Sequence, residues 1–399
     1  MGLHMNSSEL KKRFIEIYGG SEEGIRMFSS PGRVNLIGEH TDYNGGYVFP
    51  AALTMSSTVI ARPRNDRMMN LIATDLGIQV RGSLDTLEEY KALKWGNYQY
   101  GVADELQKAG YKLVGCDLLY HDTVPLGAGL SSSAAIEVAT AITLLTLGNT
   151  ALGLKQPIDM VEMALISQKA ENNYVGVNCG IMDQFASAMG KADHAIFLNC
   201  RDLSFHHVPL NLKGYKIVIA NTNKKRGLAD SKYNERRSQC EEAFAILKQF
   251  IPQATCLGEI SMDEFNKYKH EIKDEIIRNR AEHVIVEDDR VLKSVEALNN
   301  DNIELFGRYM IASHGSLRDL YEVTGAELDT LVEEALRIEG VAGSRMTGAG
   351  FGGCTVSIVR EEAVDTFVEK VGQGYAEKTG IEPSFYISEV GDGGREITK

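Results

Sequence analysis

Proline is scarce in this chain, with eight in 399 residues, so no Pro-rich linker marks a boundary and any division has to be read from pattern. Paired cysteines are missing too. Cys116, Cys179, Cys200, Cys240, Cys256 and Cys354 are scattered without a CxxC, which reads as reduced, inert thiols and suits a reducing cytosol. Positive charge is the minority sign: Lys plus Arg is 42 against 55 for Asp plus Glu, a formal net charge of −13. That balance argues against non-specific binding to nucleic acid or to an anionic membrane, both of which need basic patches. A polyanionic ligand must therefore meet locally concentrated positive charge or a metal ion. The opening MGLHMNSSELKKRF lacks the apolar centre of a secretion signal, and MGLH ahead of Met5 is open to being read as an added tag. The most apolar long stretch, Ala139–Leu147, is too short to span a bilayer, so a cytoplasmic protein without a membrane anchor is expected.

What is present is an ordinary globular composition, 43% hydrophobic and 24% charged, long enough for two packed lobes or one elaborated domain. Val48–Arg62 reads as strands with a turn, and CDLLYHDTVP as a strand stopped by Pro125. A glycine-rich loop then gives way to an Ala-rich helix from about Ser132, with further helices over Ile158–Tyr174 and from Ile181. HAIFLNC and YKIVIANT look like paired strands. In ELDTLVEEALRIEG, Leu328, Leu331, Val332, Ala335 and Leu336 fall on one helical stripe. GSRMTGAGFGG then leads into the alternating strand CTVSIV. Strands and helices mix without a βαβ rhythm, so the expected class is α+β, with lobes over 1–208 and 209–399.

Three stretches carry chemistry. PLGAGLSSSAA (Pro125–Ala135) offers a mobile loop, a helix start and consecutive serines, which together can bind phosphate without lysine. A plain capped helix is the competing reading, and three serines in a row exceed what a cap requires. No GxxxxGK[ST] occurs, and no protein-kinase HRD or DFG element. GAGFGG (348–353) satisfies GxGxxG only formally, because a helix is expected before it and a strand after it, the reverse of a dinucleotide fingerprint. It reads either as close packing between lobes or as a wall of the same phosphate site. GVNCGIMDQFASAMG sets Asp183 in the first turn of a helix, where an aspartate commonly only complements the dipole. Glu171 on the preceding helix and Trp95, the single tryptophan, have equally plain alternatives as a surface glutamate and a packing residue. Lys224, Lys225, Arg226, Lys232, Arg236 and Arg237 surround Tyr233, either as a solvated face or as a positive rim drawing in nucleotide.

GRVNLIGEHTDYNGG (Gly32–Gly46) runs apolar strand formers into Glu39, His40, Thr41, Asp42, Tyr43 and Asn44, six side chains that all hydrogen-bond. Alone, it could be a metal site or a polar turn. In this order and at these separations, the stretches resemble the GHMP kinases, and GRVNLIGEHTDYNGG is similar to the signature of their galactokinase branch. SKYNERRSQCEEA and RAEHVIVEDDRV fit that branch too, and the resemblance runs from about Phe14 to Ile387.

The resemblance implies an S5-like N-terminal lobe, a ferredoxin-like C-terminal lobe, and ATP- and Mg²⁺-dependent phosphorylation of the C1 hydroxyl of galactose by a monomer. It implies that Gly127, Ala128, Gly129, Leu130, Ser131, Ser132 and Ser133 wrap the ATP phosphates while Trp95 lies against adenine. Ser133 and Glu171 would hold Mg²⁺. Asp183, beside Arg33, would face the C1 hydroxyl. Glu39, His40, Thr41 and Asp42, with the Gly180 backbone and Tyr233, would hold the sugar. The rival readings are a kinase of the same fold for N-acetylgalactosamine, arabinose or galacturonate, and a galactose and ATP sensor without catalysis. Sensors lose serine-loop residues, and SSSAA is intact here.

Overall fold

The computed structural model describes residues 5–225, 227 and 229–398, so MGLH and Arg226 lie outside it. In chain order the first half contains α1 (Ser7–Tyr18), β1 (Arg26–Asn35), β2 (Tyr47–Val48), β3 (Pro50–Pro63), β4 (Met68–Ala73) and β5 (Gln79–Ser83). It continues with α2 (Asn97–Lys108), β6 (Cys116–Asp122), α3 (Ser132–Leu152), α4 (Met160–Lys169), α5 (Met182–Met189), β7 (His194–Asn199) and β8 (Phe205–Pro209). The second half opens with β9 (Tyr215–Asn221), followed by α6 (Ala229–Lys248), α7 (Met262–Tyr268), α8 (Glu275–Asn299), α9 (Ile303–Asp319) and α10 (Gly325–Leu336). It ends with β10 (Val341–Thr347), β11 (Cys354–Arg360), α11 (Val364–Thr379), β12 (Ser384–Ser388) and β13 (Arg395–Glu396). The class is α+β, as expected.

Three sheets organise these elements, in the orders β13-β1-β3-β6-β4-β5, β2-β7-β8 and β10-β11-β9-β12. The central piece of the first half is α3, whose Ala- and Leu-rich sequence is apolar all round and therefore fit only for burial. It packs on β1 and β3, with α2, α4 and α5 against its other faces. Leu144, Leu145 and Leu147 are buried there, each worth about 1.5–3 kcal/mol of apolar transfer. The apolar helix is longer than Ala139–Leu147 suggested: its 21 residues could cross a membrane by length and composition, yet most of it is buried in this core. In the second half, α9 and α10 pack on β10, and α11 packs on α10 and β11.

Several local expectations change. Val48–Arg62 is not a hairpin but the end of β2 and one 14-residue strand, β3. Its irregularity is a bulge: Pro31 of β1 faces Ser56 whereas Arg33 faces Ala52. HAIFLNC and YKIVIANT do not pair; β7 takes β2 and β8, and β9 takes β11 and β12. The intervening β8 satisfies β7, which leaves β9 to found another sheet. A strand, not a helix, precedes GAGFGG, because β10 and β11 form an antiparallel hairpin around it. The helix expected through Tyr174 changes pitch at Ala170, where a π-helical turn runs to Val175. β13 returns to the first sheet, pairing Phe28 with Glu396, so the last residues do not stay with the second half.

Candidate active site

Opposite the bulge in β3, Gly32 and Arg33 of β1 lie against the glycine loop. A Cβ on Gly32 would lie 2.6 Å from the Leu130 carbonyl, so only glycine permits the approach. The Arg33 N–H then donates to Leu130 O at 2.9 Å. Its side chain, 4% exposed, is fixed twice more, Nε to Asp183 Oδ1 at 2.8 Å and Nη1 to Gly129 O at 2.7 Å. Asp183 itself remains 34% exposed in the first turn of α5, so the pair presents a carboxylate to solvent from a buried guanidinium.

This pair lies in a cleft of about 400 Å³ whose walls include Gly127, Gly129 and Ser131–Ser133 on one side. Ser131 does not cap α3: its backbone is left-handed (φ 63°), and its Oγ is buried without a partner. The competing reading of a merely capped helix therefore leaves that hydroxyl unexplained. The first-turn N–H groups of α3 remain available for an anion. Ala128 and Leu130 turn their side chains into the core, so only their backbone can serve a ligand.

Beside the serines, Glu171 sits on the π-helical turn, a feature frequent at functional sites. The Gln184 amide donates to its Oε2 at 2.6 Å and to Glu137 Oε1 at 3.2 Å, and Cys179 Sγ lies 3.4 Å from the same carboxylate. Ser133 is within its hydrogen-bonding reach. Burial, then the charge of Asp183, raises the pKa of Glu171; burial and Glu171 push that of fully buried Glu137 well up. Glu137 Oε2 has no partner. Glu137 and Gln184 were not anticipated, although Gln184 stands next to Asp183 in GIMDQ.

The signature turn also lines the cleft. Asp42 Oδ1 accepts from the Tyr43 N–H at 2.9 Å and Oδ2 from the Met182 N–H at 3.4 Å, while burial and nearby Asp183 raise its pKa. Any side chain on Gly180 would collide with Asp42 Oδ2. Glu39, 2% exposed, accepts the Gly348 N–H at 2.9 Å. Burial pushes its pKa up to about 7, only partly offset by Arg345 and Arg33. Arg345, wholly buried on β10, holds the Asn35 carbonyl at 2.7 Å and faces Glu39 at 3.5 Å. Behind it burial raises the Glu287 carboxyl, but Arg290, His283 and Arg345 outweigh that and hold it down to about 2. Sequence reasoning missed this ionic backing, whose one signal was an arginine in the middle of the strand β10.

Three expected ligand residues sit differently. His40 lines the cleft, but Nε2 faces Ala349 O at 2.8 Å and Nδ1 faces the Tyr43 hydroxyl at 2.7 Å, so neither nitrogen is left for a sugar. Burial lowers its pKa to about 3, which keeps it neutral. Thr41 Oγ1 is spent on the carbonyls of Gly38 and Tyr47 and braces the turn. Trp95 is not among the cleft's lining residues and packs edge-on to Tyr120 with ring centres 6.1 Å apart. Tyr233 of α6 does line the cleft, its ring 5.6 Å from His40. Of the basic cluster, Arg236 is bonded to the carbonyls of Tyr321 and Glu322, and Lys224 to Glu327.

Three family models match the chain: a galactokinase galactose-binding signature over residues 12–63, a GHMP kinase N-terminal domain over 97–191 and a GHMP kinase C-terminal domain over 294–377. The galactokinase of Clostridium acetobutylicum is 51% identical over 392 residues, covering 97% of this chain and 98% of that protein. That of Bacillus subtilis is 47% identical over 393 residues, 98% of each. A crystal structure of Lactococcus lactis galactokinase complexed with galactose superposes with a TM-score of 0.92 at 43% identity, over 97% of this chain and 99% of that one. A mevalonate kinase structure, 18% identical with a TM-score of 0.65, covers 91% of this chain and 98% of its own and shares the fold.

Proposed function

The chain belongs to the galactokinase family, and from that premise we propose that it transfers the γ-phosphoryl group of ATP to the C1 hydroxyl of galactose. The observation that carries the reading is Asp183, held by Arg33 between the serine loop and the Asp42 turn. Phosphoryl transfer needs alignment and charge neutralisation more than covalent chemistry. Asp183 orients the C1 hydroxyl and takes its proton as the oxygen bonds to the γ-phosphorus and the bond to ADP breaks. Arg33 stabilises the charge gathering on the transferring group. The first-turn amides of α3 receive the phosphates, with Gly127–Ser133 wrapped around them.

Ser133 and Glu171 would hold Mg²⁺. Their fit rests on two observations, the mutual repulsion of Glu171, Asp183 and Glu137 and the unpartnered Ser131 Oγ and Glu137 Oε2. Magnesium usually completes its octahedral shell from substrate phosphate and water, so two protein ligands suffice. Bound there, it would neutralise the β- and γ-oxygens. Asp42, Glu39, the Gly180 backbone and Tyr233 would hold the sugar hydroxyls, with His40 supporting the turn rather than the ligand. Trp95 would border the adenine from outside the cleft's lining.

We place the lobe division near Pro209, where β8 ends and before β9 begins the second large sheet, with the tail from β13 added to the first lobe. The unpaired thiols of Cys116, Cys179, Cys200, Cys240 and Cys256 support the reducing compartment expected of a cytoplasmic enzyme. One assay decides the activity: ADP release measured with galactose, glucose, N-acetylgalactosamine, arabinose and galacturonate. Turnover fastest with galactose is the expected result. No turnover with any sugar would leave only a sensor.

A further inference from the structure

We propose that a buried hydrogen-bond series, Cys240 to Tyr321 to Tyr43 to His40, ties the sugar turn to the β10–β11 hairpin loop and makes sugar and nucleotide bind cooperatively. The inference rests on the galactokinase reading and names Tyr43 and Tyr321 as positioning residues.

Two consecutive residues of the turn grip two consecutive residues of the hairpin. Glu39 Oε1 accepts the Gly348 N–H at 2.9 Å, and His40 Nε2 meets the Ala349 carbonyl at 2.8 Å. The hairpin in turn lies against the glycine loop, since a Cβ on Gly348 would be 3.0 Å from Gly129 O and 3.7 Å from Arg33 Nη2. Sugar-side and phosphate-side walls therefore share one loop.

The direction of the series follows from its end. A carbonyl only accepts, so His40 Nε2 carries the hydrogen, and in the neutral ring Nδ1 must then accept. Tyr43 donates to Nδ1 at 2.7 Å, which leaves its oxygen to accept from Tyr321 at 2.6 Å. Tyr321 in turn can accept from the Cys240 thiol at 3.0 Å. Cys240 and Tyr321 are fully buried, so water cannot replace either donor. His40 is held meanwhile in a left-handed backbone conformation (φ 59°), which persists in a non-glycine residue only where its surroundings fix it. Asn44 Nδ2, bonded to His40 O at 3.0 Å, completes the hold. Ordering the turn around sugar thus orders the loop that faces nucleotide, and by linkage the reverse holds equally.

The test is equilibrium binding of galactose with and without a saturating, non-hydrolysable ATP analogue and Mg²⁺. The analogue should tighten galactose binding about five- to tenfold, within the usual range of coupling between sites. Tyr43→Phe and Tyr321→Phe should bring that ratio close to one while each ligand still binds alone. A purely structural role would lower Tm and leave the ratio intact, which overturns the proposal, as does a wild-type ratio of one. Should Tyr43→Phe fail to fold, Tyr321→Phe still decides, because it keeps the Tyr43–His40 contact and removes only its donor. Absence of any galactose binding in the wild type would instead overturn the galactokinase reading.

Discussion

Arg33 Nε and Asp183 Oδ1 lie 2.8 Å apart although 150 residues separate them in the chain. The contact requires β1, the start of α5 and the glycine loop to meet at one point, so it reports the assembly of the whole cleft. Asp183→Asn keeps the shape and removes the proton acceptor. Its kcat should fall by about 10²–10⁴, with a smaller change in galactose KM, in steady-state assays of the folded variant. Arg33→Ala should lose comparably and also loosen Gly129, raising the KM for ATP.

Asp42 and Gly180 should behave as one unit. Asp42→Ala removes a rigid acceptor and should raise galactose KM by about 5- to 150-fold, corresponding to 1–3 kcal/mol for an unmade buried hydrogen bond. Selectivity over the C4 epimer should shrink with it. Gly180→Ala, by displacing the same carboxylate, should reproduce that shift in direction. Unchanged epimer selectivity in both variants would mean that Asp42 does not distinguish galactose from its C4 epimer.

Glu39 and His40 are neighbours whose stability contributions oppose each other with pH. The Glu39 pKa lies at about 7 in the folded state against a normal 4.5, so the fold binds the extra proton and loses stability as pH rises from 4.5 towards 7. His40 falls from 6.5 to about 3, so its contribution is present above 6.5 and lost as pH drops towards 3. Glu39→Gln should therefore gain on the wild type as pH rises from 4.5 towards 7, when unfolding by urea is followed across that window. A constant difference would mean that Glu39 does not titrate there.

Gln184→Ala should act through Glu171. Losing the amide that orients that carboxylate should raise the Mg²⁺ concentration for half-maximal binding by about 10–100-fold, a typical cost for an outer-shell partner. Mn²⁺ binding in the presence of ADP, read by electron paramagnetic resonance, separates this from a loss of turnover. Removing divalent ions with EDTA should abolish activity reversibly.

The sequence revealed the helices best, because α10 carries a clear apolar stripe and α3 a long apolar run. It also located the walls of the cleft, since left-handed glycines and serines at a helix start are local signals. Pairing was less legible. Nothing local in HAIFLNC says that its partner is β8 rather than YKIVIANT, and alternation alone does not choose a sheet. The assigned roles of His40 and Thr41 altered for a related reason: a polar side chain on a turn can face a ligand or brace the turn. Only the positions of Ala349, Tyr43 and Tyr47 decide which. Arg345 and Glu287 were invisible because their meaning is mutual.

The strand β13 joins β1 at Phe28 and Ser29, a few residues ahead of Arg33. Arg26 and Glu396 clasp the same junction, both hydrogen bonds at 2.7 Å. During synthesis, β1 therefore waits for nearly the entire chain before its outer edge is covered. Until Arg395 leaves the ribosome, that edge is an open template for a foreign strand. Folding in the cell thus carries a period of exposure set by translation speed, and late-stalling transcripts would yield chains prone to aggregate through the very strand that bears Arg33.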